Sequence, residues 1–79
     1  MNELNTQQVV AERIRELCRE RKITPNGISN IAGVPQATIK SILNGESKNP
    51  GIVTIKMLCD GMGVSLIDFF DDDLMVQPF

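Results

Sequence analysis

Apolar side chains recur along the chain with the period of an α-helix. Residues 7–22 place Val10, Ile14, Leu17 and Cys18 at the i, i+4, i+7, i+8 spacing of one helical face, with charged residues largely off that face. No stretch alternates apolar and polar residues with the period of two that indicates a half-buried strand. The pattern predicts an all-α domain whose first helix covers residues 7–22.

A second and a third helix are predicted on either side of a short glycine turn. Thr24 can cap a helix over about 25–32, and Pro25 suits its first position because the missing N–H costs nothing there. Gly33 can take the left-handed conformation that ends a helix, and a third helix follows over about 35–44. The predicted inward positions are Ile28, Ile31, Ala32, Val34, Ile39, Ile42 and Leu43. Such a pair is typical of a helix-turn-helix, whose second helix fits a DNA major groove about 12 Å wide.

Two further helices complete the predicted domain. Residues 45–51 have a loop composition, a fourth helix covers 52–62, and Ser65 can cap a short fifth helix. The predicted core positions of this part are Ile52, Ile55, Met57, Leu58, Cys59, Met62, Leu66, Phe69 and Phe70. We therefore expect one domain over 7–70, between a polar tail (1–6) and a tail (71–79) that is first acidic and then apolar.

Charge is distributed unevenly along the chain. The net charge is −2. Residues 1–23 carry five basic and four acidic groups, and residues 24–50 carry two basic groups and one acidic group. Residues 51–79 carry one lysine against five aspartates. Any surface that faces phosphates is therefore expected in the first fifty residues. The arginines of the first helix (Arg13, Arg15, Arg19 and Arg21) are predicted to form a solvated face.

The residues for most enzyme chemistry are missing. The chain has no histidine, no CxxC pair, no P-loop and no GxGxxG. This predicts a protein that is not an enzyme and uses no cofactor or metal. Cys18 and Cys59 can form one disulfide or remain free, and their apolar periodic surroundings favour buried free thiols. No run of about 18 apolar residues or signal-peptide pattern occurs, so a cytoplasmic protein without membrane contact is expected.

The residues around the glycine turn resemble a known family. The stretch ITPNGISNIAGVPQATIKSILNGESKNP is similar to the helix-turn-helix of the phage-repressor, Cro-like (Xre-type) family, and TIKMLCDGMGVSLIDFF resembles its fourth and fifth helices. The resemblance covers roughly residues 9–70. The positions in register are Thr24, Gly33-Val34, Thr38-Ile39, Asn44-Gly45, Pro50 and Gly63-Val64-Ser65. The resemblance implies a compact five-helix lambda-repressor-like domain that binds double-stranded DNA.

The resemblance also implies which residues contact DNA. Gln36, Ala37 and Ser41 match positions that touch base edges, and glutamine can pair bidentately with adenine. Thr38 and Lys40 match positions that reach bases or phosphates. The expected phosphate contacts are Asn44, Lys48, the backbone after Gly45, and the start of the second helix at Thr24, Pro25 and Asn26.

The chain departs from the family pattern at three places. Many members carry, in place of Pro25, a glutamine that buttresses the residue at position 36. Many also pair an arginine at position 18 with a glutamate at position 43, where this chain has Cys18 and Leu43. We expect a packing contact in place of that ion pair. Ser29 stands where alanine is usual, and it is small enough for two helices to touch there.

Two functions of different classes fit the predicted helix-turn-helix domain. The first is a sequence-specific transcription regulator, acting as a repressor and binding a two-fold operator as a homodimer. The alternative is an antitoxin or another helix-turn-helix module that binds a protein partner, which the weak positive charge and the tail favour. The apolar tail residues Leu74, Met75, Val76 and Phe79 can fold back on the domain or pair with a second subunit.

Overall fold

Five helices form the fold. The computed structural model describes residues 5–47 and 49–71, and within these ranges the chain contains five α-helices and no strand. They are α1 (Thr6–Arg21), α2 (Pro25–Ala32), α3 (Gln36–Leu43), α4 (Ile52–Met62) and α5 (Leu66–Phe70). The predicted all-α five-helix fold is therefore confirmed. No helix in this part of the chain is long and apolar enough to cross a membrane.

Local capping interactions fix where the helices begin. Asn5 and Gln8 form a reciprocal capping box at the start of α1. The hydroxyl groups of Thr24 and Ser65 each accept a hydrogen bond from a backbone N–H in the first turn of α2 and α5. Pro35 is the N-cap of α3 and Asn44 its C-cap, so the helix is shorter at both ends than the predicted 35–44.

A single core joins the five helices. Its fully buried members come from every helix, and the largest are Ile14, Leu17, Ile28, Ile39, Ile42, Leu58 and Phe69. The prediction of buried free thiols is confirmed, since Cys18 and Cys59 are both free and buried. Burial raises the pKa of both thiols. Both therefore stay protonated and poorly nucleophilic at neutral pH.

Three apolar side chains predicted inside are exposed. Ile31 is 60% exposed and Ile52 is 59% exposed, so the prediction that both face inward is wrong. Met57 is 37% exposed and lies at the surface of α4 rather than in the core. Ile31 and Ile52 each lie three residues from a buried isoleucine, at the edge of the apolar stripe, where no neighbouring helix covers them.

Three of the four arginines of α1 bind the C-terminal ends of other helices. Arg13 donates to the carbonyl oxygens of Phe69 (2.8 Å) and Asp68 (2.7 Å) in α5. Arg15 donates to Leu43 O at the end of α3 (2.8 Å), and Arg21 to Met62 O at the end of α4 (2.7 Å). The prediction that all four arginines form a solvated face is therefore wrong for these three. Arg19 alone of the four is exposed and makes no hydrogen bond or ion pair within the described residues.

These contacts satisfy groups that a helix cannot satisfy itself. The last four carbonyls of an α-helix have no intrahelical donor, and the helix dipole places partial negative charge there. A guanidinium supplies both the donors and a positive charge. One face of α1 thus packs into the core while its flank fixes the ends of α3, α4 and α5.

A close approach of two helices depends on a glycine. A Cβ added at Gly61 of α4 would lie 2.8 Å from the Cβ and 3.0 Å from the Cα of Ala32 in α2. Both atoms belong to positions that cannot move without shifting the backbone. The packing of α2 on α4 therefore requires a residue without a side chain at position 61.

We predict that Gly61→Ala lowers the free energy of unfolding, although alanine favours a helix interior by about 1 kcal/mol. The clash with Ala32 forces the helices apart, and overpacking of this kind costs about 1–3 kcal/mol. Urea denaturation followed by circular dichroism measures the change. Gly51→Ala is a comparison without a clash, because a Cβ there meets nothing within 4 Å, although glycine is the better N-cap for α4. A Gly61→Ala protein as stable as the unsubstituted chain would contradict the close approach.

We also predict that Arg13→Ala destabilises the fold far more than Arg19→Ala. Arg13 is 13% exposed at its side chain and donates to two carbonyls of α5. Hydrogen bonds of charged groups contribute about 1.5–3 kcal/mol each, so a loss in that range is expected. Arg19→Ala removes the same charge from an exposed site and should change stability by less than about 0.5 kcal/mol. Equal midpoints of thermal unfolding for the two variants would contradict the role of Arg13.

Candidate nucleic-acid interface

One face of α3 is polar and accessible. Gln36, Ala37, Lys40, Ser41 and Asn44 follow at i, i+1, i+4, i+5 and i+8, which places them on one side of the helix. Gln36, Ala37, Lys40 and Asn44 are exposed, and Ser41 is half-buried. The opposite side carries the buried side chains of the third helix. The helix therefore presents a polar surface backed by rigid apolar packing.

The turn before α3 is held by one glycine and one serine. Gly33 has a left-handed backbone with φ of 73°, and its N–H donates to Ser29 O at 3.0 Å. The Ser29 hydroxyl donates to Val34 O at 2.6 Å, and Val34 is buried. The serine that replaces the usual alanine thus adds a hydrogen bond across the turn between α2 and α3. This bond fixes the direction in which α3 leaves the turn.

The far end of α3 is held by α1. The Gln7 side chain donates to Ile42 O at 2.7 Å, and Arg15 donates to Leu43 O. Leu43 is half-buried and packs against the core that contains Cys18. Positions 18 and 43, where we expected an apolar contact in place of the family's ion pair, therefore both lie in apolar packing. Both ends of α3 are fixed by contacts outside the helix itself.

The first turn of α2 lies beside the start of α3. Thr24, Pro25 and Asn26 are all exposed. Pro25 has no N–H, and the Gly27 N–H is used by the Thr24 hydroxyl at 3.0 Å. The Asn26 N–H occupies the second helical position, where an amide has no intrahelical partner. This amide and the positive end of the helix dipole face outward together.

An open groove of about 580 Å³ brings most of the predicted DNA-binding residues together. It is lined by residues from three helices, namely Arg15, Pro25, Asn26, Gln36, Ala37, Ile39, Lys40, Leu43 and Asn44. Thr38 and Ser41 line a shallower surface beside it, together with Glu46 and Ser47. Ala37 contributes to both surfaces, so they are continuous. Thr24 lies next to the groove at the cap of α2, and Lys48 lies outside the described residues.

The electrostatic character of this face differs from that of the rest of the chain. Residues 23–45 contain no acidic side chain and a single basic one, Lys40. Asp60, Asp68 and Asp71 all lie on or after α4. The helix-turn-helix face is thus nearly neutral rather than strongly basic.

The side chains of three residues of this surface, Arg15, Glu46 and Ser47, were not singled out by sequence reasoning. Arg15 lines the groove while it binds the end of α3. Glu46 lies beside Ala37 and Ser41. Arg15 reaches the surface through a contact between distant parts of the chain, which periodicity within one helix does not reveal. Glu46 reaches it through the turn after α3, where its N–H donates to Ser41 O at 2.9 Å.

Comparison with known proteins agrees with this geometry. Residues 13–73 match the Cro/C1-type HTH DNA-binding domain. The chain therefore belongs to the Cro/C1-type helix-turn-helix family of DNA-binding domains.

Two individual proteins are similar to this chain. Over 47 residues it is 43% identical to an uncharacterized HTH-type transcriptional regulator, RghRB, of Bacillus subtilis (strain 168). That match covers 60% of this chain and only 34% of the relative's length. The crystal structure of the prophage Lp1 protein 11 superposes with a TM-score of 0.86 at 32% identity. It covers 96% of this chain and 100% of the other.

Proposed function

We propose that this protein is a cytoplasmic, sequence-specific regulator of transcription that acts as a repressor, without catalysis or a cofactor. It binds duplex DNA by seating α3 in the major groove. The observation that carries this proposal is the continuous polar surface of α3 and the first turn of α2, on which Glu46 at one border is the single acidic side chain among the described residues. The similarity to a protein named as an HTH-type transcriptional regulator supports it.

Base recognition is assigned to the outer face of α3. Gln36 is exposed in the first turn, and a glutamine can accept and donate at adenine N7 and N6 together. Ala37 offers an apolar contact to a thymine methyl group, and Ser41 can bond to several bases. Glu46 borders the same surface, and a carboxylate there accepts from the cytosine amino group while repelling phosphates. Specificity thus resides in few, largely uncharged contacts.

Phosphate contacts are assigned to the rim of this surface. Lys40 is exposed in the groove and supplies the positive charge of the helix-turn-helix. The Asn26 N–H, Thr38 and Asn44 supply uncharged donors, and Lys48 adds a second cation from the loop. Nonspecific affinity for DNA rises with the number of phosphates that cationic side chains neutralise. A surface with so few cations therefore gives modest nonspecific binding.

We further propose that the protein binds DNA as a homodimer. Val53 is 70% exposed on α4, and Met57 lies one turn further on the same side of that helix. Exposed apolar side chains of this kind are typical of interaction surfaces. A two-fold dimer matches an inverted repeat whose half-sites are about 34 Å apart. Dimerisation then makes operator occupancy depend on protein concentration.

A second candidate function is a protein-binding module of the antitoxin type. The observations that favour it are the low positive charge of the DNA face and the exposed apolar residues outside it, including Ile67, which is 81% exposed. In this case α4 and α5 contact a different protein, and DNA binding is secondary.

Selection of binding sites from random duplex DNA separates the two candidates. The purified full-length protein at moderate salt should enrich an inverted repeat if it is a dimeric, sequence-specific regulator. No enrichment by a protein that is folded and helical in the same sample would reject the regulator and favour the protein-partner module.

We predict that Gln36→Ala weakens binding to the selected site by about 1–3 kcal/mol and barely changes binding to random duplex, because base pairing is lost while phosphate contacts remain. Fluorescence anisotropy titrations measure both affinities. Asn30→Ala is the matched control, since Asn30 is also an exposed amide but lies on α2. Unchanged affinity of Gln36→Ala for the selected site would remove Gln36 from base recognition.

We predict that Lys40→Ala weakens binding to selected and random duplexes alike and reduces the slope of log K against log [salt] by about one. The reason is that one fewer counterion is released from the DNA. Lys56→Ala on α4 removes the same exposed charge away from α3 and should leave the slope unchanged. If both variants changed the slope equally, the assignment of α3 as the DNA face would be wrong.

A further inference from the structure

A second concave surface lies where the first turns of α1 and α4 meet the end of α5. It encloses about 300 Å³ and is lined mainly by apolar side chains. Its apolar lining residues are Val10, Pro50, Ile52, Ile55 and Phe70, and its polar ones are Thr6, Gln7 and Asn49. We refer to this surface as the α1–α4 groove.

The α1–α4 groove contains an apolar side chain that the described residues leave uncovered. Ile52 is 59% exposed, whereas Val10 and Ile55 beneath it are each 5% exposed. A large side chain at the rim of an apolar depression would be covered by any segment that enters the groove. Its burial would remove apolar area from water, which favours occupancy.

The same groove receives the positive ends of two helices. Thr6 and Ile52, which both line it, are the first residues of α1 and α4. Neither helix has an acidic residue in its first turn, and the N-cap of α4, Gly51, makes no side-chain cap. A ligand with carboxylates next to apolar groups would complement this surface.

The sequence after α5 has this composition. Phe70 is the last residue of α5 and itself lines the groove. Asp71, Asp72 and Asp73 follow, and then the apolar residues Leu74, Met75, Val76 and Phe79. Eight residues beyond Asp71 reach at most about 26 Å when extended, which is ample for a groove that begins at their own attachment point.

We propose that residues 72–79 dock in the α1–α4 groove of their own chain. The aspartates lie at the first turns of α1 and α4, and the apolar side chains cover Ile52 and Phe70. The tail of a second copy has the same chemistry, but the chain's own tail is anchored at the groove, so its effective concentration there is far higher. The docked tail would contact both the loop before α4 and the start of α1, where Gln7 binds the C-terminal end of α3.

A nitroxide attached in the tail of the full-length protein tests this placement. Gln77→Cys provides the attachment site, since Cys18 and Cys59 are 5% and 0% exposed and protected from the reagent. The unsubstituted chain, which should take up no label, verifies this protection. The proposal predicts greater loss of the amide NMR signals of Ile52 and Ile55 than of Ile67, which lies on α5 close to the tail but does not line the groove, while those of Asn30 and Ile31 on α2 persist. Uniform broadening, or none, would overturn it.

Mixing and a pair of matched variants identify the occupant. Isotope-labelled chain without nitroxide is mixed with unlabelled chain that carries the nitroxide. Loss of groove signals in this mixture would assign the groove to the tail of a second copy and overturn the proposal.

Ile52→Asp adds a repelling charge in the groove and should restore the lost signals within the spin-labelled chain. Ile31→Asp changes an isoleucine of equal exposure elsewhere and should not restore them. Signals that stay lost in Ile52→Asp would also overturn the proposal.

Discussion

The structure depends on the hydrogen bonds that α1 makes to the ends of the other helices. Three of its arginines donate to the last carbonyls of α3, α4 and α5. The helices that receive them have only 8, 11 and 5 residues. Helices this short are unstable alone, because nucleation is costly and too few bonds repay it. A long first helix that packs against the core and binds their negative ends compensates for that weakness.

Fixed helix ends bear on the proposal that a nearly neutral surface recognises a specific DNA sequence. A strongly basic protein gains affinity from phosphates at every sequence, whereas this chain has a single lysine between residues 23 and 45. In the proposed function, its discrimination between sequences comes from contacts whose geometry is fixed before DNA arrives. The Ser29 bond to Val34 O at one end of α3, and the Gln7 and Arg15 bonds at the other, supply that rigidity. Rigid elements lose less conformational entropy on binding than mobile ones.

Much of the fold could be predicted from the sequence because its signals are local. Helical periodicity, the Thr24 cap and the Gly33 turn all act within a few residues, and they locate the five helices and the outer face of α3. Ile31 and Ile52 were placed wrongly because periodicity shows which side of a helix is apolar, but not how far a neighbour covers that side. In an eight-residue helix the edge of the stripe is decided by packing alone.

The remaining features depend on contacts between distant parts of the chain. The role of Arg13 requires knowing that α5 ends beside α1, and the constraint on Gly61 requires the position of Ala32. The groove that joins Asn26 to Gln36 and Lys40 likewise forms only when α2 and α3 pack together. The candidate residues were therefore nameable from the resemblance to the family, whereas their arrangement as one surface required the structure.

The most direct test of this account is chemical-shift mapping of the isotope-labelled protein during titration with a duplex selected from random sequence. The account predicts that shifts concentrate in residues 24–27 and 36–46, with little change at Asp60 and Ile67, which lie outside both α3 and the pair Val53 and Met57 proposed for the dimer. Shifts concentrated on α4 and α5, with α3 unaffected, would contradict the claim that the outer face of α3 reads DNA.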